Sequence, residues 1–458
     1  MVARDRTAQV TRAKEIATKL QRKDVHGLVL SYLDAAGINR IKAIPMSRLA
    51  RATEWGVGMS PVFDAFLADD SITSTGEFGG PDGDLRLFPD LEQIVVLAGQ
   101  PGWAWAPVDR YTQDGEPHAA CQRTFARTMT ERAAEAGLTL QMAFEIEWAV
   151  GAGDTDDFVP ACTGPAYGMT RLVELSDYAR DILVALEQEG TEVDQLHPEY
   201  AAGQFEVSVG ATDPVTAADR SVLVRQTIRA ITARHGLRVS FAPSVVAGSV
   251  GNGGHVHLSA WRDRKNAFAG GEGRYGITAE GEAFAGGILA DLPALCAIGA
   301  PTVASYLRLV PSHWAGVYAA WGRENREAAL RFVTGMVGSE AQAANLEVKC
   351  FDLAASPYLV VGTLIAAGLQ GIQTQATLPA EVTGDPARFT GDELADQGIS
   401  RLPQSLDDAT AQLAASYHLR EAMGKPLADA VLAVRRGEAE RFRDTAPEDV
   451  VAALRWVY

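Results

Sequence analysis

A chain of 458 residues is long enough for two domains, and its 47% hydrophobic residues allow each to bury a core. A formal net charge of −17 at pH 7 excludes a general affinity for nucleic acid, which requires a basic surface. The four cysteines contain no CxxC pair, so the sequence predicts neither a zinc knuckle nor a disulfide framework.

The N-terminal residues predict a charged helix, MVARDRTAQVTRAKEIATKL, and lack the apolar run of a signal peptide. No run of 18 apolar residues follows, so no membrane-spanning helix is predicted. We therefore expect a cytoplasmic protein that binds neither membranes nor nucleic acid.

Short strand-like runs and loops alternate at the start of the chain, and the segment 101–107 (PGWAWAP) predicts a connector. Residues 117–137 then show a helical pattern that ends in glycine, as many helices do. Strands and long helices interleave from there to the C-terminus. We place a domain boundary near residue 112, with one domain at 1–111 and a second at 112–458.

Four predicted strands of the second domain carry polar side chains on one face, because alternate residues of a strand point to opposite faces. In the segment 143–148, for example, Glu145 and Glu147 share one face while the other face is apolar. The equivalent polar sets of the other three strands are Gln204, Glu206 and Ser208; His255, His257 and Ser259; Asn345, Glu347 and Lys349.

A single strand of this kind commonly faces water, but four of them in one sheet would line a shared cavity. That cavity would hold at least four carboxylates and two imidazoles. Assembling so many carboxylates is costly unless cations neutralise them. Ligands that are mostly oxygen, with one or two histidines, favour Mg²⁺ or Mn²⁺ over zinc.

A basic set accompanies the acidic one. Arg308 lies in a Leu-Arg-Leu-Val-Pro segment, and Arg326 and Arg331 lie close together further on. Arginines on a surface usually pair with carboxylates, but arginines beside a metal cluster bind phosphate or carboxylate groups. Metals with arginines are typical of phosphoryl transfer, and no GxxxxGK[ST] loop is present.

In this order the motifs resemble those of the glutamine synthetase superfamily, from about residue 25 to the end of the chain. The segments that carry the resemblance are the Glu-x-Glu at 145–147, the Glu at 199 with Gly-Gln-Phe-Glu at 203–206, the His-x-His-x-Ser at 255–259, the Arg-Leu-x-Pro at 308–311, the Asn-Arg at 325–326 with Arg331, and Glu347.

The resemblance implies an α+β fold. A small N-terminal β-grasp domain would precede a catalytic domain with a curved, antiparallel, barrel-like sheet flanked by helices. The family also implies a ring-shaped homo-oligomer, a dodecamer of two hexamers, with each active site shared between neighbouring subunits.

The resemblance further implies ATP and two or three Mg²⁺ or Mn²⁺ ions per active site. The ligands expected at the amino-acid side are Glu147, Glu199 and Glu206. Those expected beside the ATP phosphates are Glu145, His255 and Glu347.

The remaining site residues follow from the same resemblance. Arg326 and Arg331 would stabilise charge on the γ-phosphoryl group, with Arg331 also binding the nucleotide. Arg308 would bind the carboxylate of glutamate, and His257 and Ser259 would lie near the nucleotide. The implied reaction is attack of the γ-carboxylate on ATP, followed by displacement of phosphate from γ-glutamyl phosphate by an amine. A closing loop would exclude water from that intermediate.

The chain departs from ammonia-using relatives at both acidic groups of their ammonium site. Val57 stands where those relatives have an Asp, and Trp314 stands where they have a Glu. Apolar replacements suit an organic amine, and Trp314 can also meet an ammonium group through a cation–π contact. We predict a γ-glutamyl-amine ligase for a polyamine, ethanolamine or another small amine. His313 is either the proton acceptor for the amine or a structural histidine.

Three further departures leave the acid substrate open between glutamate and an analogue. Lys349 replaces a substrate-binding Arg, Asn345 replaces an Arg near the nucleotide, and Asn252 is a candidate glutamate contact in an altered loop. The stretch 391–398 contains no tyrosine, so control by adenylylation is not expected.

Three alternatives remain at this point. An ammonia-dependent glutamine synthetase would need another acidic group, for which Asp64 or Asp70 is available. A catalytically silent relative is disfavoured, because six retained metal ligands would only destabilise a fold without a use for them. A guanidino kinase shares the catalytic fold, but Arg308 favours the ligase.

Overall fold

A computed structural model describes residues 6–74 and 77–458 of the chain. The strands of the described residues are β1 (Gly27–Leu33), β2 (Asn39–Pro45), β3 (Val57–Met59), β4 (Leu85–Pro89), β5 (Val95–Val96), β6 (Trp103–Thr112), β7 (Thr139–Gly151), β8 (Val193–Pro198), β9 (Gln204–Val209), β10 (Arg238–Ser240), β11 (Val256–Arg262), β12 (Lys265–Asn266), β13 (Tyr318–Arg323), β14 (Ala328–Val333), β15 (Asn345–Val348) and β16 (Ser400–Arg401).

The helices of the same residues are α1 (Arg6–Gln21), α2 (Leu49–Trp55), α3 (Gln122–Glu135), α4 (Met169–Glu174), α5 (Ser176–Gln188), α6 (Pro214–Arg234), α7 (Ala279–Gly299), α8 (Ser305–Arg308), α9 (Glu340–Ala343), α10 (Pro357–Thr374), α11 (Gly391–Asp396), α12 (Leu406–Ala415), α13 (Tyr417–Met423), α14 (Lys425–Arg441) and α15 (Pro447–Leu454).

The N-terminal sheet has the order β2-β1-β6-β4-β3, with β5 paired to β6. Strands β1 and β6 run parallel, and the other pairs are antiparallel. The predicted connector at 101–107 is wrong, because most of it belongs to β6. The Trp105 indole donates from Nε1 to Ser31 Oγ over 2.8 Å, so this segment is fixed in the sheet. The sheet ends at Thr112, and the domain division at 111/112 stays a prediction.

The second sheet has the order β16-β13-β14-β15-β11-β7-β9-β8, with β10 on β7 and β12 on β11. Helices α3, α6 and α7 pack against its strands and α10 packs on these helices, which confirms the predicted α+β class with a helix-flanked sheet. One pair departs from the predicted antiparallel pattern. Strands β13 and β14 run parallel, although only residues 324–327 separate them. Parallel neighbours usually need a longer crossover.

Helices α7 and α10 pack closely against each other in the core. Gly287 and Gly371 make this approach possible, since a Cβ on Gly287 would lie 2.6 Å from Gly371 Cα. Helix α7 is long and apolar enough by length and composition to cross a membrane. However, 78% of its most apolar 18-residue window is buried inside the protein, which is typical of a core helix.

A buried ion cluster fixes the N-terminal sheet to the segment that follows it. Asp64 Oδ1 accepts from Arg110 Nη1 over 2.8 Å, and His118 Nε2 lies 2.8 Å from Asp64 Oδ2. All three side chains are buried. Burial alone would raise the pKa of Asp64, but the Arg110 guanidinium and the His118 hydrogen bond hold it below its usual value.

Neither of the two acidic residues considered as ammonium ligands, Asp64 and Asp70, is available for that role within its own chain. Asp64 is 1% exposed and occupied by Arg110 and His118. Asp70 lies on the surface and forms an ion pair with Arg40 at 2.7 Å. Neither residue lines the catalytic cavity described below.

Substitution Asp64→Asn tests the cluster. We expect it to lower the free energy of unfolding by roughly 3–5 kcal/mol, because Arg110 is left buried without its counter-charge. The wild-type contribution is present above the ordinary Asp pKa of 3.8 and is lost as the pH falls below it, because the folded-state pKa is lower. Denaturant unfolding at pH 7 and pH 3.5 measures both effects.

The matched control is Asp429→Asn, which breaks the exposed ion pair with Lys425 on α14. An exposed pair contributes about 0–1 kcal/mol, so this variant should unfold almost as the wild type does. Equal losses in the two variants would contradict a structural role specific to Asp64.

Candidate active site

The polar faces of the central strands line one cavity of about 650 Å³. Carboxylates and imidazoles form one part of its wall, and they are Glu145, Glu147, His197, Glu199, Glu206 and His255. Cationic groups form another part, and they are Arg308, Arg326, Arg331 and Lys349. The sequence predicted all of these residues except His197.

Strand register explains why these residues meet. Glu147 of β7 lies directly opposite Glu206 of β9, and Glu347 of β15 lies between His257 of β11 and Arg331 of β14. Because the side-chain period of a strand is two, each strand presents its whole polar set to the same side. The prediction of a shared polar cavity is therefore supported by the sheet itself.

Three groups of carboxylate and imidazole atoms lie close enough to share a cation. In each group the candidate ligand atoms lie within 4.8 Å of one another. The groups are His197, Glu199 and Glu206; Glu145, Glu206 and His255; and Glu145, His257 and Glu347.

This grouping overlaps with the two predicted ligand sets without reproducing them. His197 groups with Glu199 and Glu206 where Glu147 was expected. Glu147 also lines the cavity, where its Oε2 accepts from Gln204 Nε2 at 3.0 Å and from the Gly253 amide at 2.8 Å and its Oε1 lies 3.7 Å from His255 Nε2, so its role as a ligand stays a prediction. His255 Nδ1 lies 2.8 Å from Glu145 Oε2 and 3.5 Å from Glu347 Oε1, as the second set requires. Oxygen-rich groups with one histidine each fit a hard divalent cation such as Mg²⁺ or Mn²⁺.

The crowding of like charges shifts the protonation of the cavity. Burial, with Glu145 and Glu147 nearby, raises the pKa of Glu206 to about 7. The hydrogen bond to Glu206 raises the pKa of His197 to about 9, so this imidazole must release a proton before it can bind a cation. Burial opposes ionisation of Glu347, but the Lys349 ammonium lowers its pKa to about 2.

The cationic residues divide between paired and free groups. Arg331 donates to Glu347 and Glu324 at 2.9 Å each, and Lys349 Nζ lies 2.9 Å from Glu347 Oε1. Arg308 Nη2 donates to the Lys349 carbonyl at 3.1 Å, whereas Nη1 is buried without a hydrogen-bond partner in the described residues. A buried guanidinium nitrogen without a partner favours an anionic ligand at this point. Arg326 is exposed at the rim.

A second cavity of about 300 Å³ shares Glu145 with the first. His257, Ser259 and Asn345 line it. His257 Nδ1 lies 2.8 Å from Asn345 Oδ1, and Ser259 Oγ accepts from the Trp261 indole at 2.8 Å. This cavity adjoins the carboxylates through Glu145, and its assignment to the nucleotide stays a prediction.

Asn252 is a predicted substrate-binding residue that lines neither of these two cavities. It is 2% exposed, and its Nδ2 donates to the carbonyls of Ser240 and Ala242. Its Oδ1 accepts from Gln204 Nε2 at 3.1 Å. The loop presents Val250 and Gly251 to the cavity instead, because Asn252 anchors the loop from behind. The predicted glutamate contact of Asn252 is not supported.

Aromatic residues form the outer end of the first cavity. The rings of Tyr200 and Trp314 meet edge to face with centroids 5.3 Å apart. The Tyr167 hydroxyl donates to Glu199 Oε2 at 2.8 Å. His313 lines the same end. Tyr167 and Tyr200 were not predicted, since both lie in loops where side-chain alternation gives no signal.

Val57, the other position of the altered ammonium site, lies in β3 and pairs with Leu87 of β4. It is not among the residues that line the cavity of the same chain. The resemblance placed this segment in a neighbouring subunit's site, and the position of Val57 is compatible with that arrangement.

Comparison with known proteins finds relatives that match nearly the whole chain. A family model described as glutamine synthetase, catalytic domain, matches residues 119–452. The chain is 59% identical over 456 residues to gamma-glutamylpolyamine synthetase GlnA3 of Streptomyces coelicolor, covering 99% of this chain and 98% of that relative. It is 31% identical to the glutamine synthetase of Clostridium saccharobutylicum, covering 94% and 95% of the two chains.

Solved structures agree with the sequence relatives. A crystal structure described as a novel glutamine synthase homolog has a TM-score of 0.85 and 32% identity, covering 95% of this chain and 99% of that one. A GmaS/ADP complex has a TM-score of 0.83 and 28% identity, covering 94% and 96%.

Substitution Glu206→Gln tests the carboxylate groups as a cation site. Glu206 belongs to two of the three groups, so we expect its loss to weaken Mn²⁺ binding by at least about tenfold. Titration calorimetry on the protein without substrates measures this. Because the carboxyl must lose its proton to bind a cation and its pKa is about 7, wild-type affinity should fall as the pH decreases from 8 to 6.

Glu174→Gln is the matched control, because Glu174 is exposed and lies outside the three groups. It should bind Mn²⁺ as the wild type does. Unchanged binding in Glu206→Gln, or no dependence on pH, would contradict the assignment.

Proposed function

This chain belongs to the glutamine synthetase family, and we propose that it joins the γ-carboxylate of glutamate to a polyamine. Members of the family use ATP and divalent metals, and the chain is an ATP-dependent ligase that forms γ-glutamyl amides. The single observation that carries the acceptor class is the aromatic outer end of the cavity, formed by Tyr167, Tyr200 and Trp314.

The aromatic end favours an organic amine over ammonium for a physical reason. An ammonium ion needs several hydrogen-bond acceptors or a carboxylate, and Trp314 supplies neither at the position where ammonia-using relatives have an acid. An alkylammonium chain instead buries methylene groups against the rings and places its charge over a ring face. Glu199 lines the same cavity and accepts from Tyr167, so its negative charge would also favour a cationic amine. The name of the Streptomyces coelicolor relative supports a polyamine among such amines.

The opposite end suits glutamate. Arg308 presents its buried, unpartnered Nη1, which would bind the α-carboxylate. Lys349 lies beside it and is held by Glu347, so it would contribute charge without the bidentate geometry of an arginine. Val250 and Gly251 line the cavity beside Arg308 and would contact the aliphatic part of the substrate.

Phosphoryl transfer would take place between these two ends. Two or three Mg²⁺ or Mn²⁺ ions, held by the three carboxylate and imidazole groups, would neutralise phosphate charge when bound. Arg326 and Arg331 would stabilise the γ-phosphoryl group as the γ-carboxylate oxygen attacks its phosphorus atom and ADP leaves. His257 and Ser259 would contact the nucleotide in the smaller cavity.

Amide formation would complete the reaction. The amine nitrogen attacks the γ-carbonyl carbon of γ-glutamyl phosphate, inorganic phosphate leaves, and the nitrogen loses one proton. His313 lines the acceptor end and is the proposed proton acceptor. With the amine bound, Trp314 and the tyrosines would shield the acyl phosphate from water, which would otherwise hydrolyse it.

The assembly and location of the enzyme are further parts of the proposal. A ring-shaped homo-oligomer, of the dodecameric type, would bring Val57 of one subunit towards the acceptor end of the next. The four cysteines are all buried free thiols, which is compatible with a cytoplasmic location.

An acceptor panel tests the proposed function. Purified protein is mixed with ATP, Mg²⁺ and glutamate, and phosphate release is followed with ammonium, ethanolamine, isopropylamine, putrescine, cadaverine or spermidine. We expect turnover with polyamines and little with ammonium, and product masses should show one γ-glutamyl group added. Turnover with ammonium alone would overturn the proposal.

Substitution Trp314→Glu should move the preference towards ammonium. It restores the acid found in ammonia-using relatives and removes the largest ring of the acceptor end. We expect kcat/KM for putrescine to fall by roughly tenfold, as the loss of a cation–π contact and its apolar area implies. The kcat/KM for ammonium should rise or stay constant. Trp103→Glu is the control, because Trp103 is exposed to a similar extent, at 39% against 45% for Trp314, but lies outside the cavity.

A further inference from the structure

We propose that Glu327 is a specificity-determining positioning residue, which holds the loop 311–316 so that Trp314 closes the acceptor end of the cavity. The inference rests on the proposed function, since Trp314 selects an acceptor only if an organic amine binds beside it. Glu327 itself does not line the cavity and therefore acts through Trp314.

The backbone of this loop adopts a conformation that it cannot keep without support. Ser312, Trp314 and Gly316 all have left-handed backbone angles, with φ of 60°, 54° and 63°. Glycine adopts such angles readily, whereas serine and tryptophan rarely do. Residues of this kind persist only where the surrounding structure fixes them, and they concentrate at ligand sites.

Packing does not supply that support. Trp314 is 45% exposed, and the ring it meets, Tyr200, is 45% exposed as well. Two half-exposed rings in edge contact bury too little area to fix a strained backbone. The support must come from hydrogen bonds.

Two carboxylates provide these hydrogen bonds. Glu327 Oε1 accepts from the Trp314 backbone amide over 3.0 Å, and Asp385 Oδ2 accepts from Ser312 Oγ over 2.7 Å. Bonds from a backbone amide to a carboxylate are charge-assisted and stronger than neutral ones. Glu327 therefore binds the backbone of Trp314 itself, whereas Asp385 binds the side chain of Ser312, two residues before it.

The two carboxylates are themselves fixed. Asn325 Oδ1 accepts from the Glu327 amide at 3.0 Å, and Asn325 Nδ2 donates to the carbonyls of Val382 and Gly384 at 2.9 Å each. Asp385 accepts from the Ala387 amide at 2.9 Å. One asparagine therefore joins the segment that carries Glu327 to the segment that carries Asp385, and both hold the tryptophan loop.

The position of Glu327 connects acceptor binding to phosphoryl transfer. It follows Arg326, which lines the cavity at the γ-phosphoryl position of the proposed mechanism. Both residues lie on the short connection between β13 and β14. The same four residues therefore present a guanidinium to the region proposed for phosphoryl transfer and hold the wall of the acceptor end.

The test compares Glu327→Ala with Glu327→Gln. The glutamine keeps an oxygen that accepts from the Trp314 amide, and the alanine does not. We expect Glu327→Ala to raise KM for putrescine by roughly tenfold, more than it changes KM for ATP or glutamate, because the nucleotide and glutamate ends are formed by other elements. Glu327→Gln should recover most of the loss.

Hydrogen exchange gives a readout that does not depend on activity. Peptides that contain residues 311–316 should exchange faster in Glu327→Ala than in the wild type, and Glu327→Gln should lie between them. Glu393→Ala is the control, since Glu393 also accepts from a backbone amide in an exposed segment, that of Thr390, and lies outside both cavities. It should change neither the putrescine KM nor the exchange of this loop.

The outcomes separate this inference from the proposed function. If the wild type turns over ammonium alone, the proposed function fails, and the exchange result still decides whether Glu327 holds the loop. If the wild type uses putrescine but both Glu327 variants keep its KM and the wild-type exchange rates, the positioning role is overturned. Equal losses in the alanine and glutamine variants would also overturn it, because a role in hydrogen bonding requires the glutamine to rescue.

Discussion

The active site depends on one electrostatic constraint, which is the concentration of carboxylates on neighbouring strands of a single sheet. Strand register alone places Glu147 against Glu206 and surrounds Glu347 with cationic side chains. Without ligands, His197, Lys349 and Arg331 supply the compensating charge. The apolar side of the same strands packs on the core helices, so the sheet cannot shift its register to relieve the repulsion without exposing the core. The carboxylates are therefore held close together, where bound cations would neutralise their mutual repulsion.

Much of the site could be predicted from the sequence because alternation along a strand is a local signal. Glu145, Glu206, His255 and Glu347 lie on strands or at their ends, and their spacing of two indicates a common face before any tertiary contact is known. The family resemblance added the chemistry. The α+β class, the helix-flanked sheet and the ligase activity were all confirmed.

The missed features depend on tertiary packing. His197 precedes a turn in a strand whose register shifts, and Tyr167 lies in a loop, so no periodic pattern marks either residue. Asn252 has the right chemistry for a ligand, but the fold turns its amide towards two carbonyls behind the loop. Asp64 was an acceptable ammonium ligand in the sequence, yet Arg110 and His118 occupy it in the fold. The sequence alone does not show whether a polar residue has a structural or a functional role, because that role depends on its partners in the fold.

The parallel pairing of β13 and β14 has a consequence for how this protein can change over evolutionary time. Its connection has only four residues to return along the length of a strand, and the side chains of all four have assigned places. Such a segment cannot absorb a change in length. Substitutions here can tune which amine is accepted, but an insertion or deletion must displace Arg326 or Glu327 from its place. New acceptor specificities in this lineage should therefore arise through exchange of side chains at constant loop length.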